Sequence, residues 1–149
     1  MVFEDYFSEL QTDMVSICLE YVSNKADIIY IYGSCEGQII SCDHFYKING
    51  QIVQCHKLND IDLGNGFKYD VSSSRQDKVL TILIEDIEKI ENLCKEYKRD
   101  MPTEFKLIYD VKDNRLNANH RYDLIYTNDP VKTADDVAEE WFEEINSQS

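Results

Sequence analysis

The chain predicts one α+β domain spanning residues 1–149: a largely antiparallel five-stranded sheet with helices packed on one face, in the order α-β-β-β-α-β-β-α. Three observations carry that expectation. Asn49-Gly50 stands between two strand-like runs, the strongest short signal for a two-residue hairpin. The run "EFKLIYDV" (104–111) alternates apolar and polar residues and leads into the polar turn "KDNR". Three other segments repeat apolar residues at steps of three and four, the period of an amphipathic helix.

Taken in order, residues 3–22 place Phe3, Phe7, Leu10, Met14, Ile17 and Tyr21 on one stripe, with the acids mostly off it. "DIIYIYG" (27–33) is rich in β-branched and aromatic residues, and Gly33 to Gly37 supplies a turn. "QIISCDHFYKI" (38–48) and "QIVQCHKL" (51–58) form the arms of the Asn-Gly hairpin. The stretch 59–74 has turn residues throughout and is the longest irregular segment. From Arg75 to Arg99 helical spacing returns at Leu80, Leu83, Ile87, Ile90, Cys94 and Tyr97. Its turns "VLTILI" also match a strand, but the length of the pattern favours a helix, and Pro102 stops it. In 104–111, Phe105, Leu107, Tyr109 and Val111 share one face, and "LNANHRYDLIY" (116–126) pairs back. Thr133 followed by Asp136 has the form of a capping box, opening a helix that buries Val137, Trp141 and Ile145.

A chain of 149 residues can bury a core without cross-links, and 43% hydrophobic content marks it as globular. "MVFEDYFSEL" lacks the basic and apolar regions of a signal peptide, and no apolar run approaches the ~20 residues of a membrane span. Five cysteines, odd in number and without a C-x-x-C, fit reduced thiols in a cytoplasm.

Charge is the strongest compositional signal, at −14 net. Residues 1–20 hold five acids and no base, and residues 126–149 hold seven acids against Lys132 alone. Such a field repels nucleic acid and attracts basic partners.

The hairpin raises a metal question. Counting back from Asn49-Gly50 pairs Ile48 with Gln51, Tyr46 with Val53, His44 with Cys55 and Cys42 with Lys57. That places Cys42, His44 and Cys55 on one face as a weak three-ligand alternative. His56 points the other way, opposite Asp43, and the face otherwise carries Ile40, Tyr46, Ile48 and Val53. It is expected to be a core face, with no metal and no cofactor. No G-x-S-x-G, glycine-rich helix start or H-E-x-x-H is present. The pairs His120/Asp123 and Asp43/His56 are expected on strand surfaces, and no catalytic residue is assigned.

Tyr109-Asp110 ends the first strand of the second hairpin, Tyr122-Asp123 follows in its partner, and an acidic helix with Trp141 closes the chain. This pattern, strongest from Pro102 to Ile145, resembles the YezG-type immunity (antitoxin) proteins of bacteria. The resemblance implies a non-catalytic cytosolic protein that binds and neutralises the C-terminal domain of a polymorphic toxin, often a nuclease. The charge is compatible with a basic toxin partner. The alternative is an interaction or regulatory domain with no toxin, and a carboxylate- or metal-dependent enzyme comes third. On the binding reading, Asp13, Glu20, Glu139, Glu140, Glu143 and Glu144 flank apolar helix stripes and form an electrostatic rim. Asp60, Asp62, Phe67 and Tyr69, in the irregular stretch, are the candidate direct contacts. Trp141 lies on its helix's apolar stripe and is expected in the core, as are Tyr109 and Tyr122.

Overall fold

The computed structural model describes residues 2–61, 64, 66–127, 129 and 131–148. Helix α1 (Phe3–Tyr21) leads into strands β1 (Ile28–Glu36), β2 (Ile39–Ile48) and β3 (Gln51–Gln54), then a 3₁₀ turn (Cys55–Asp60). Helix α2 (Ser73–Glu96), strands β4 (Glu104–Asp110) and β5 (Arg115–Arg121) and helix α3 (Ala134–Ser147) complete the chain. The strands form one antiparallel sheet in the order β3-β2-β1-β4-β5. Fold class and element order are those the sequence predicts.

The Asn-Gly hairpin forms with both turn residues at positive φ (51° at Asn49, 78° at Gly50), the geometry whose twist matches paired strands. Its register pairs Ile48 with Gln51 and Tyr46 with Val53, as counted from the sequence. Pairing then stops at Phe45–Gln54, because the chain turns into the 3₁₀ segment and buries Leu58. Cys55 is therefore not cross-strand from His44.

The helices do not share one face of the sheet. Helices α1 and α2 pack on the face made by Ile29, Ile31, Tyr46, Phe105 and Leu107, meeting it with Met14, Cys18, Leu83, Ile87 and Ile90. Helix α3 covers the opposite face, where Val137, Ala138 and Trp141 pack against Tyr30, Tyr32 and Phe45. Trp141 is 4% exposed and meets Tyr30 and Phe45 edge-on, the core position expected of it. The central strand is thus buried on both sides: every residue of β1 after Ile28 is buried. Gly33 fits this crowding, since a Cβ there would lie 2.7 Å from Ile87 Cδ1.

β5 ends at Arg121 rather than continuing to residue 126. The chain instead crosses the second face, where the buried Glu36 carboxylate accepts the N–H groups of Ile125 (3.0 Å), Tyr126 (3.4 Å) and Thr127 (3.2 Å) and the Thr127 hydroxyl (2.5 Å). Tyr126 adds a hydroxyl contact to Ser34 at 3.2 Å. Tyr122, expected in the core, is 57% exposed as a result. The α3 capping box forms as predicted: Asp136 N–H donates to Thr133 Oγ1 (3.3 Å) and Thr133 N–H to Asp136 Oδ2 (2.9 Å).

Candidate partner-binding surface

The two-sided packing decides where the acidic residues lie. Asp13 and Glu20 are exposed on α1, on one side of the sheet; Glu139, Glu140, Glu143 and Glu144 are exposed on α3, on the other. The two acidic ends of the chain therefore make two patches, not one. Asp60 joins the second: with Lys57, Phe142, Glu139 and Glu143 it lines a groove of about 330 Å³ beside β3. Asp62 lies outside the described residues.

A larger groove, about 640 Å³, runs along the other flank of α3 between the helix and Asp129, Val131 and Lys132. Its acids are Asp129, Asp136, Glu139, Glu140 and Glu143, against Lys132 alone, and Val131 on its edge is 82% exposed. Lys132 pairs with Glu140 at 3.0 Å, and Gln54 donates to Glu139 at 3.2 Å. The N–H groups of Val131 and Lys132 hold the Asp129 carboxyl below its ordinary value, so that corner stays charged. The arrangement is an anionic groove with an apolar lip, suited to a basic surface.

Two of the expected loop contacts prove structural. Tyr69 is buried: its N–H donates to Asn59 Oδ1 (2.7 Å), its carbonyl accepts from Asn59 Nδ2 (3.0 Å), and its hydroxyl donates to the Lys25 carbonyl (3.0 Å). The Asn59 side-chain amide thus imitates a strand neighbour and ties the loop down. Phe67 is half-buried, edge-on to Tyr69 at 4.9 Å and beneath the Lys25 ammonium at 5.0 Å. Both anchor the irregular segment to the core, and burial leaves Tyr69 little surface for a direct contact, while Phe67 keeps part of its ring exposed. Asp60 alone of that set combines a described position with exposure.

Cys42, His44 and Cys55 do not come together as ligands. Among the described residues no group of three His, Cys, Asp or Glu side chains is placed to hold a metal ion. Burial drives the His44 imidazole down to about 3, so it is neutral, and pushes the thiols of Cys42 and Cys55 up to about 12. Tyr46 donates its hydroxyl proton to the Cys18 carbonyl (3.0 Å), so the 2.7 Å contact to His44 is a bond from Nδ1–H to the tyrosine oxygen. Metal binding needs thiolate, and these surroundings favour thiol.

Neither acid–histidine pair of the sequence is joined by a hydrogen bond, although His56 lies near enough to Asp43 to favour its charged form. His120 is half-buried against Phe7 and Phe105 and bonds Gln11 at 2.7 Å, while Asp123 takes a two-pronged ion pair from Arg121 (3.1 and 2.6 Å). Asp43 accepts the His44 N–H at 2.8 Å, and His56 stands exposed in the 3₁₀ turn. What sequence reasoning missed is the polar network on the second face. There Tyr32 donates to the buried Glu104 carboxylate at 3.2 Å, and Lys106 approaches it at 3.8 Å. A charged residue inside a strand-like run, as at "TEFK", was the available signal.

No protein-family model matches the chain, and a search of curated proteins finds no match either. No helix among the described residues is long and apolar enough to cross a membrane.

Proposed function

We propose that this chain is a cytoplasmic immunity protein that binds and neutralises the basic C-terminal domain of a polymorphic toxin, with the α3 side as the face that draws the toxin in. One observation carries the proposal: five acids against one base line the α3 groove, and Asp60 extends the patch toward β3. Toxins that act on phosphate chemistry carry basic surfaces, and an anionic groove both speeds encounter and rejects nucleic acid. The resemblance of residues 102–145 to YezG-type immunity proteins supports the same reading. Inhibition would proceed by occupying or shielding the toxin's basic surface, with no chemistry on the part of the inhibitor.

The test compares the two acidic patches. Glu139→Lys, Glu140→Lys and Glu143→Lys together should slow association with the toxin domain at least about tenfold at low ionic strength, the difference shrinking as salt screens it. Asp13→Lys with Glu20→Lys, across the sheet, should leave association within about twofold. Stopped-flow association at several salt concentrations distinguishes them. Equal effects of the two sets, or none from either, would refute steering by the α3 face.

A further inference from the structure

The sheet has two edges, and among the described residues only one is guarded. β3 has four residues, bends away into the 3₁₀ turn, and has α3 beside it through the Gln54–Glu139 contact. β5 has seven residues, Arg115–Arg121, and among the described residues pairs on one side only, with β4. Natural edges are usually protected by proline, a covering element or a charge aimed outward. "RLNANHR" has no proline, and its centre, Asn117-Ala118-Asn119, is uncharged and exposed. Of its terminal charges, Arg121 is paired with Asp123, while Arg115 is exposed and stands across from Asp110 in the register.

This edge also borders a crevice under α1, in two parts. The first, about 430 Å³, is lined by Phe3, Phe7, Pro102, His120 and Tyr122, with Glu4 and Asp100 adding carboxylates against Arg99. The second, about 330 Å³, is lined by Val15, Leu19, Tyr109 and Leu116 with the small side chains of Thr12 and Ser16. Between them Gln11 reaches across to His120 at 2.7 Å. Leu116 and His120 are four residues apart on the strand, so the two parts sit about 13 Å from each other at 3.3 Å per residue.

We propose that the open edge of β5 receives an extended segment of the partner protein as a sixth strand. The segment's backbone pairs with β5. Its residues i and i+4 send apolar side chains into the two crevices, and residue i+2, beneath the Gln11–His120 bridge and opposite Ala118, is small. Strand addition of this kind takes affinity from main-chain hydrogen bonds and specificity from alternate side-chain pockets. The occupant is a different, basic protein and not a second copy. Two chains of net charge −14 repel each other, whereas a basic segment is drawn to the chain. The identity of that partner rests on the toxin reading above; the edge itself does not depend on the α3 groove.

The test uses as its probe the toxin C-terminal domain of the association experiment above. Ala118→Lys, at an exposed position, puts a charge in the middle of the edge and should weaken binding at least about tenfold, through faster dissociation, without lowering the melting temperature. Neighbouring strand residues direct their N–H groups to opposite sides. Of Asn117→Pro and Ala118→Pro, one therefore loses only an outward N–H, and should fold normally yet bind at least about tenfold more weakly. Hydrogen exchange should show new protection across residues 115–121 in the complex. If the unaltered chain binds the toxin, residues 115–121 stay unprotected and Ala118→Lys dissociates at the original rate, strand addition is wrong while the toxin reading stands. Failure of the unaltered chain to bind overturns both. A dimer of the isolated chain, dissolved by Ala118→Lys, would make the occupant a second copy and overturn the proposal.

Discussion

Replacing Asp86 with asparagine removes a titrating proton from the packing of α1 on α2. Asp86 is 1% exposed and faces the Asp13 carboxyl of α1, with which a shared proton can form a hydrogen bond; its Oδ2 has no hydrogen-bond partner among the described residues. Burial, then that hydrogen bond, then the Asp13 charge push the Asp86 carboxyl up to about 7; Lys89 opposes the shift and Glu85 adds to it. The unfolded carboxyl ionises near 3.8, so between that pH and about 7 the folded chain keeps a proton the unfolded chain has released. The folded pKa is the higher one, so this group favours folding most at low pH. That contribution is lost as pH rises through the window and levels off above it. The slope has a ceiling of about 1.4 kcal/mol per pH unit. Asp13 is exposed and can turn into water once both groups are charged, so roughly 1–2 kcal/mol over the whole window is the expected size. Asparagine keeps the shape, offers Asp13 an N–H and does not titrate. Urea unfolding of both proteins from pH about 4 to about 8 should give similar stabilities at the acid end and a variant more stable by that amount at the alkaline end. A stability difference that stays constant with pH would refute the shared proton.

Two further outcomes follow from burial. Trp141→Ala should cost about 3–5 kcal/mol in urea unfolding, since it empties the centre of the second-face core; a loss under about 1 kcal/mol with toxin binding abolished would make the residue an interface group instead. All five thiols are pushed above their ordinary range by burial, so a disulfide reagent at pH about 8 should react slowly with the native protein and rapidly after unfolding, and chelator should leave the melting temperature unchanged. One fast native thiol, or a chelator-sensitive melt with one zinc per chain, would contradict the description of that cluster.

Much of the fold could be read from local chemistry. A two-residue Asn-Gly turn fixes its register, so Tyr46–Val53 followed from counting alone. Continuing the count to Cys55 failed for a reason also present in the sequence: strict alternation would have carried Lys57 onto the core face, and the 3₁₀ turn puts Leu58 inside instead. "IIYIY" carried the sign of the second covered face, because a strand buried on both sides has no polar alternate positions; treating it as half-buried assigned every helix to one side. Grouping the acids of the two ends into one rim followed from that same error. Tyr69 was misplaced because its anchoring depends on the Asn59 side chain ten residues earlier, a contact that no periodicity announces. The β5 crevice depends on how far α1 stands from the strand, which is set by tertiary packing.

The division of the core between two faces gives the chain an order of assembly during synthesis. Everything needed for the sheet and its first covered face has been made by Arg121, whereas the lid over Tyr30, Tyr32 and Phe45 is translated after it. The 26 residues from Tyr122 to Ser147 take roughly one to five seconds to add at about 5–20 residues per second. For that interval a nascent chain can hold a finished sheet with an aromatic face open to water. Glu36 gives the late segment a landing point, since its carboxylate can collect the amides of residues 125–127 as soon as they emerge. A ribosome stalled in this window would display that aromatic face, so the step from sheet to lid is where the chain is most open to aggregation.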